Sequence, residues 1–300
     1  MRAALLPAYG DVDRFRVEEV PTPVAGPGEI LIRVEASAVN PFDLILRQGW
    51  MAQIIPLPLP AVLGSDAAGT VVALGTGVNT FRVGDRVIAD LPHNGRGAHA
   101  EFAAVPATAA VQLPANLSFE QGATLPKAGL MGRQVVQALE VRAGSRVLVS
   151  GALGAVGRAA VQYLKEIGAV PVAGVRLERL EDARLVAAEA IDIGAFPATA
   201  AFDLAISTAA PVAANLLAHM RPGGKVASIV RMPEGTAVPE AVQLIEMYHR
   251  TDAAMLADVA AAASRGALHI PVAQTFSLER LSEAHLAVAA GAAGKVLVKP

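Results

Sequence analysis

The run Arg146-Val-Leu-Val-Ser-Gly-Ala-Leu-Gly-Ala-Val-Gly-Arg158 decides how the chain is read. Its first five residues centre on the apolar Val147-Leu-Val149, two of them β-branched, as a buried parallel strand requires. From Ala159 to Ile167 apolar residues recur at helical spacing, and Gly168 stands where a helix C-terminal glycine is favoured. Gly151, Gly154 and Gly157 fill the junction between the two. Glycines there let the backbone approach a diphosphate, whose charge then faces the unpaired N–H groups and positive end of the helix. Strictly, the fingerprint is Ala152-x-Gly154-x-x-Gly157, with alanine where GxGxxG begins. Two readings stand. The residues Gly151, Ala152, Leu153, Gly154, Ala155, Val156 and Gly157 form a dinucleotide-binding turn, or they form a tight strand–helix connection without a ligand. A second strand at Val170–Val175, which includes Gly174, completes a βαβ unit and favours the first.

The type of dinucleotide is read at the end of that second strand, where an NAD site wants an Asp or Glu for the adenosine ribose. Here Val175 is followed by Arg176 and, a helical turn later, Arg179. Two guanidinium groups suit bidentate binding of a 2′-phosphate, so NADPH is the expected cofactor. The competing reading is a solvated helix face of alternating charge, Arg176 to Arg184.

Composition narrows the function classes. The 300 residues exceed one typical domain and suggest two. A net charge of −2 leaves no electrostatic footprint for nucleic acid. The long uncharged stretch Gln48 to Ser65 carries Pro56, Pro58 and Pro60 and cannot be a spanning helix. Met1 to Leu6 reads as a first strand and is too short for a signal-peptide core, so a cytoplasmic protein is expected. With no cysteine, disulfides, thiolate metal sites and a Cys nucleophile are excluded.

Organisation along the chain is uneven. Up to about Asn116, short strands are broken by Pro and Gly: Glu29–Ala38, Thr70–Leu74, Arg86–Ala89 and Ala100–Val105. From about Ser118, helix–strand alternation announces a doubly wound parallel sheet, with strands Arg146–Ser150, Val170–Val175, Leu204–Ser207 and Lys225–Val230. The expected division is residues 1–116 with 253–300 as a β-rich domain, and 117–252 as a Rossmann domain. An alanine-rich helix Ala253–Ala263, a strand near His269–Gln274, a helix Leu278–Ala290 and a last strand Lys295–Lys299 follow.

The chain resembles the zinc-independent quinone oxidoreductase branch of the medium-chain dehydrogenase/reductase superfamily. The resemblance rests on eight segments in the family's order: Val39-Asn-Pro-Phe-Asp43, Leu63-Gly-Ser-Asp-Ala-Ala-Gly69, Val83-Gly-Asp-Arg-Val87, Ala100-Glu-Phe102, Pro126-Lys-Ala-Gly-Leu130, Gly151–Gly157, Arg221-Pro-Gly-Gly224 and Gly294-Lys-Val-Leu297. It implies a GroES-like domain completed by the C-terminal segment, a Rossmann domain, a cleft where the two meet, and a homodimer. Asn40 and Asp43 are implied to border the nicotinamide, with Asn40 orienting cofactor or substrate and Asp43 holding the loop; an Asx-type turn set by Pro41 is the alternative for both. Ser65, Leu130, Met131, Phe196, Ser207, Thr208 and Lys295 join the implied cofactor residues. Met131 stands where many relatives carry Thr, and the connection between Asp192 and Asp203 is shorter than in most.

Zinc-binding relatives carry Cys where Asn40 stands and a His-Glu pair where Ser65 and Asp66 stand. The resemblance therefore implies hydride transfer without a metal, to a quinone or an α,β-unsaturated carbonyl, because these electrophiles need little activation. An enoyl-thioester reductase of the same fold, and an NADPH-binding sensor or structural protein, are the alternatives. Lys127 is a candidate proton donor or anion binder, or a solvated helix residue. Trp50 either covers the substrate or packs in the core.

Overall fold

The computed structural model describes residues 1–196, 202–209 and 213–300. They form two compact units, Met1–Lys127 with Thr251–Ser264 and Ile270–Pro300, and Ala128–Arg250 with Arg265–His269. No helix among the described residues is long and apolar enough to cross a membrane.

The strand Glu29–Val39 organises the first unit. Its alternating residues Ile30, Ile32 and Val34 are buried in one core with Val71, Val87 and Val105. It pairs antiparallel with Asp66–Leu74, with Phe102–Pro106 and with the chain's last strand, Lys295–Lys299. Arg86–Asp90 and Ala110–Gln112 extend the sheet on one side and Val272–Ser277 on the other. Arg2–Leu6 pairs with Arg16–Glu19 and Ala61–Val62 in a smaller sheet. A helix not anticipated from the sequence, Pro41–Gln48, follows the central strand at once. Pro41 stands in its first turn, where a missing N–H is harmless, and Gly49 closes it at φ 77°. The first unit continues to Lys127 instead of stopping at 116, because the helix Phe119–Ala123 is packed into its sheet. At Gly122 a Cβ would collide with Ile88 and Leu113.

The second unit is a six-stranded parallel sheet in the order Glu189–Asp192, Val170–Val175, Arg146–Ser150, Phe202–Ser207, Met220–Ser228, Gln243–Glu246. Successive strands run outward in both directions from Arg146–Ser150, so the order reverses beside it, where open α/β sheets bind their ligands. Burial on both faces explains the continuous apolar strands. Val147 and Val149 pack with Val135, Val161 and Leu164 of the helices Pro126–Ala138 and Ala155–Glu166, whereas Leu148 packs with Leu216 and Val226. Two strands escape the sequence reading, Glu189–Asp192 and Gln243–Glu246. Both lie at sheet edges and are only partly buried, so neither carries an apolar run. The strand expected at Lys225–Val230 spans Met220–Ser228, with Arg221-Pro-Gly-Gly224 in an irregular pairing inside it. Residues 197–201 of the shortened connection lie outside the described residues.

The three turn glycines have different reasons. Gly151 takes φ 74°, a left-handed conformation. At Gly157 a Cβ would run into the carbonyl of Gly151, so helix and strand could not stay in contact. At Gly154 the nearest atom to a Cβ is that carbonyl oxygen at 3.3 Å, and the position is otherwise open. Gly157→Ala should lower unfolding stability by about 1–3 kcal/mol through overpacking, and Gly154→Ala by less than about 1 kcal/mol. Urea unfolding of the two variants checks the ranking.

Candidate active site

Strand register in the first unit gathers four distant residues at one sheet end. Ala38 pairs with Asp66, Asp66 with Asp90, and Val39 with Val296, which sets Lys295 beside Asn40. Asp66 and Asp90 are like charges directly opposite each other, both with no exposed surface. Such a pair is unfavourable unless cations join it. Two do. The Lys295 ammonium forms an ion pair with Asp66 Oδ2 and donates to Asn40 Oδ1 at 2.5 Å. The Lys127 ammonium lies 2.6 Å from Asp90 Oδ1, and the Lys127 backbone N–H donates to Asp66 Oδ1 at 2.7 Å.

Three further bonds close the network. Asn40 Nδ2 donates to Asp66 Oδ2 at 3.0 Å, its backbone N–H donates to Asp43 Oδ2 at 2.7 Å, and the Thr251 hydroxyl donates to Asp90 Oδ2 at 2.6 Å. Asp43 is buried, and its Oδ1 has no partner. Burial first, and the Asp66 charge in addition, push its carboxyl up to about 6 against the bond from Asn40. Asp90 and Thr251 were not singled out in the sequence. A lone carboxylate in the apolar run Val87–Leu91 was the signal for Asp90.

In the second unit the carboxyl ends of the strands form a row. Gly174, Ser150, Ser207 and Ser228 are successive register partners across it. Ser150 Oγ and Ser207 Oγ are buried without a partner, which calls for a bound polar group. Thr208 Oγ1 donates to Ser150 O at 2.7 Å, against the glycine turn. The helix Ala155–Glu166 starts there with Gly154 at its N-cap and no side chain on its first N–H groups. Free N–H groups, orphan hydroxyls and an open Gly154 together fit a dinucleotide diphosphate.

Family comparisons agree with both units. Residues 26–115 match the model of the alcohol dehydrogenase GroES-like domain, and residues 185–298 that of the zinc-binding dehydrogenases. A solved alcohol dehydrogenase superfamily protein from Novosphingobium aromaticivorans is 30% identical, with a TM-score of 0.90 over 100% of this chain and 99% of that one. The chain belongs to the medium-chain dehydrogenase/reductase superfamily. Its members are nicotinamide-dependent oxidoreductases built from a GroES-like and a Rossmann-like domain. The quinone oxidoreductase of Coxiella burnetii is 25% identical, with a TM-score of 0.89 over 100% of this chain and 99% of that one. A chloroplastic quinone-oxidoreductase homolog of Spinacia oleracea is 36% identical over 162 residues, 52% of this chain and 49% of that protein. The chain thus spans about half the length of the curated relatives it matches.

Several expected residues of the chain have other placements. Leu130 and Met131 are buried, Met131 in the core with Val135 and Leu153, so a ligand would meet their backbone and not their side chains. Gly174 is a packing glycine: a Cβ there would strike Ile193 Cγ2 at 2.6 Å. Phe196 stacks on His219 at 4.1 Å and packs with the Leu148 face, opposite the core that holds Ala152 and Leu153. Lys127 is not a solvated helix residue, since its side chain is 13% exposed and ion-paired. Trp50, at 71% exposure, is not a packing tryptophan. Arg176 pairs with Glu178 at 3.3 Å and Arg179 with Asp182 at 2.6 Å, and the half-buried Arg158 is held below the usual guanidinium range by burial and then by the Arg179 charge.

Asp43 gives a pH test. Its folded carboxyl is raised above the ordinary 3.8, so its contribution is full below that value and is lost as pH rises through about 6. Asp43→Asn removes that loss, and its stability relative to the native protein should rise by up to about 3 kcal/mol from pH 4 to pH 7. His99, which burial holds down to about 4, has the opposite sign in this range but cancels in the comparison. Urea unfolding of both proteins across the range reads the difference.

Proposed function

We propose that the chain is an NADPH-dependent reductase that passes hydride directly to a quinone or an α,β-unsaturated carbonyl, without zinc. The observation that carries this reading is the charge of the polar cluster in the first unit. An ammonium already stands between Asn40 and Asp66, with a second on Asp90, so a metal dication there would meet two fixed cations. Among the described residues no three His, Asp or Glu side chains converge as metal ligands. The residues present do not fit zinc, although one matching family model carries that name.

NADPH, when bound, supplies the hydride. The chain's own residues then position and complete the reaction. The uncapped helix N-terminus, Gly154 and the Ser150 and Ser207 hydroxyls hold the diphosphate, and Arg176, Arg179 and Arg158 meet the 2′-phosphate. The present carboxylate partners of Arg176 and Arg179 form exposed surface pairs of small energy, which a phosphate can replace. Asn40 donates to the substrate carbonyl oxygen as its charge grows. The Lys127 ammonium gives the proton that completes the reduction, and solvent reloads it through its exposed edge. Asp43 keeps the Asn40 backbone in place. The same reading includes a homodimer formed along the outer strand Gln243–Glu246, which has a neighbour on one side only among the described residues.

Steady-state turnover of a panel of quinones and enones, with NADPH and with NADH, tests this function. Arg176→Ala or Arg179→Ala should weaken NADPH binding about tenfold, the low end for a charge-assisted bond at an exposed site, and leave NADH unchanged. Equal losses for both cofactors would reject the assignment. Turnover should survive dialysis against a strong chelator, and activity that disappears with stoichiometric zinc would overturn the metal-free reaction.

A further inference from the structure

Lys295, Asn40 and Asp66 form a closed triangle of hydrogen bonds. The ammonium donates to Asn40 Oδ1 at 2.5 Å and to Asp66 Oδ2, and the same carboxylate oxygen accepts from Asn40 Nδ2 at 3.0 Å. The orientation of the Asn40 amide follows from chemistry alone. A lysine only donates and an ionised aspartate only accepts, so Oδ1 must face Lys295 and Nδ2 must face Asp66. Lys295 and Asp66 are almost wholly buried, whereas Asn40 is partly exposed. The second Nδ2–H of Asn40 has no protein acceptor among the described residues.

This arrangement does more than hold the side chain. A cation on the amide oxygen draws electron density from nitrogen toward oxygen, and the carboxylate on one N–H fixes which way the amide faces. The C–N bond gains double-bond character, and the N–H groups become stronger donors, as in a polarised hydrogen-bond chain in a dry site. We infer that Lys295 polarises and Asp66 orients the Asn40 amide, which makes its free N–H the hydrogen-bond donor to the substrate carbonyl. This rests on the proposed reductase function. In the reaction, hydride adds to the electrophilic carbon, the C=O electron pair moves onto oxygen, and that oxygen accepts from Asn40 until it or the α-carbon takes a proton. Lys295 is then a positioning residue that works through Asn40 and makes no cofactor contact of its own.

The test uses the whole chain in four forms: native, Asn40→Ala, the neutral pair Lys295→Gln with Asp66→Asn, and the triple variant. Asn40→Ala should lower kcat about a hundredfold, the usual cost of an oxyanion donor, and the neutral pair should lower it by about tenfold. NADPH affinity, read by fluorescence, should stay within about twofold, because the lost contact is one made in the transition state. Adding the neutral pair to Asn40→Ala should produce no further loss, since residues acting as one unit are not additive. Additive losses, or an NADPH affinity that falls while kcat holds, would overturn the inference. A second measurement does not depend on turnover or on the neutral pair folding. The Asn40 side-chain N–H signals, identified by their disappearance in Asn40→Ala, should lie downfield of ordinary asparagine amides in the native protein. Signals at ordinary amide positions would overturn the polarisation even in an active enzyme. A native protein that turns over no quinone or enone would reject the proposed function, and the amide signals would then decide the polarisation separately.

Discussion

A carboxylate inside a β-sheet cannot remain ionised on its own, because leaving water costs it several kcal/mol. Asp66 is wholly buried, and it collects its partners from three parts of the chain. The Asn40 amide arrives at the end of the central strand, the Lys127 backbone N–H from the start of a helix, and the Lys295 ammonium from the last strand. Asp90 faces it across the sheet and brings the Lys127 ammonium with it. Each partner depends on a strand register that was set for apolar reasons. Val296 and Val298 of the last strand belong to the buried core with Val39 and Leu46. A slip of one residue would turn these valines to the other face of the sheet and carry Lys295 away from Asp66.

Stability alone does not account for the cluster. Buried ion pairs are commonly replaced by apolar residues at no loss, and two carboxylates placed opposite each other add repulsion. An arrangement with that cost, at the end of a sheet and with one partly exposed amide, supports the proposed reaction site. Within it, burial first and then the Asp66 charge make Asp43 reluctant to ionise, and its Oδ1 has no hydrogen-bond partner.

Local features of this design were legible in the sequence. The glycine turn, its flanking strand and helix, and the last strand Lys295–Lys299 follow from periodicity and punctuation within about a dozen residues. What depends on distant pairing was not. Asp90 and Thr251 meet over a separation of 161 residues, and no pattern near either marks the bond. Lys127 reads either as a proton donor or anion binder or as a solvated residue until the neighbouring strand supplies Asp90. Trp50 reads either as a cover of the substrate or as core, and after the helix that Gly49 closes it stays exposed. Edge strands were lost for a related reason. Glu189–Asp192 and Gln243–Glu246 are only partly buried, so the apolar signal that marks a central strand is diluted in them.

The departure of the turn from the usual GxGxxG resolves in the same physical terms. The first glycine of that pattern serves a tight turn, for which a left-handed residue is the costly requirement. Here Gly151 supplies it, at φ 74°, one position before the alanine. Ala152 is then free to carry a methyl group, and it is wholly buried among Val149, Leu153 and Val161, where that methyl adds to the core. Gly157 keeps the close contact of helix and strand, and Gly154 keeps the approach clear. A pattern of letters would score Ala152 as a defect. Assigned by task, the three glycines still supply the tight turn, the close contact and the open approach of the fingerprint, and the alanine adds packing that a glycine in its place would not provide.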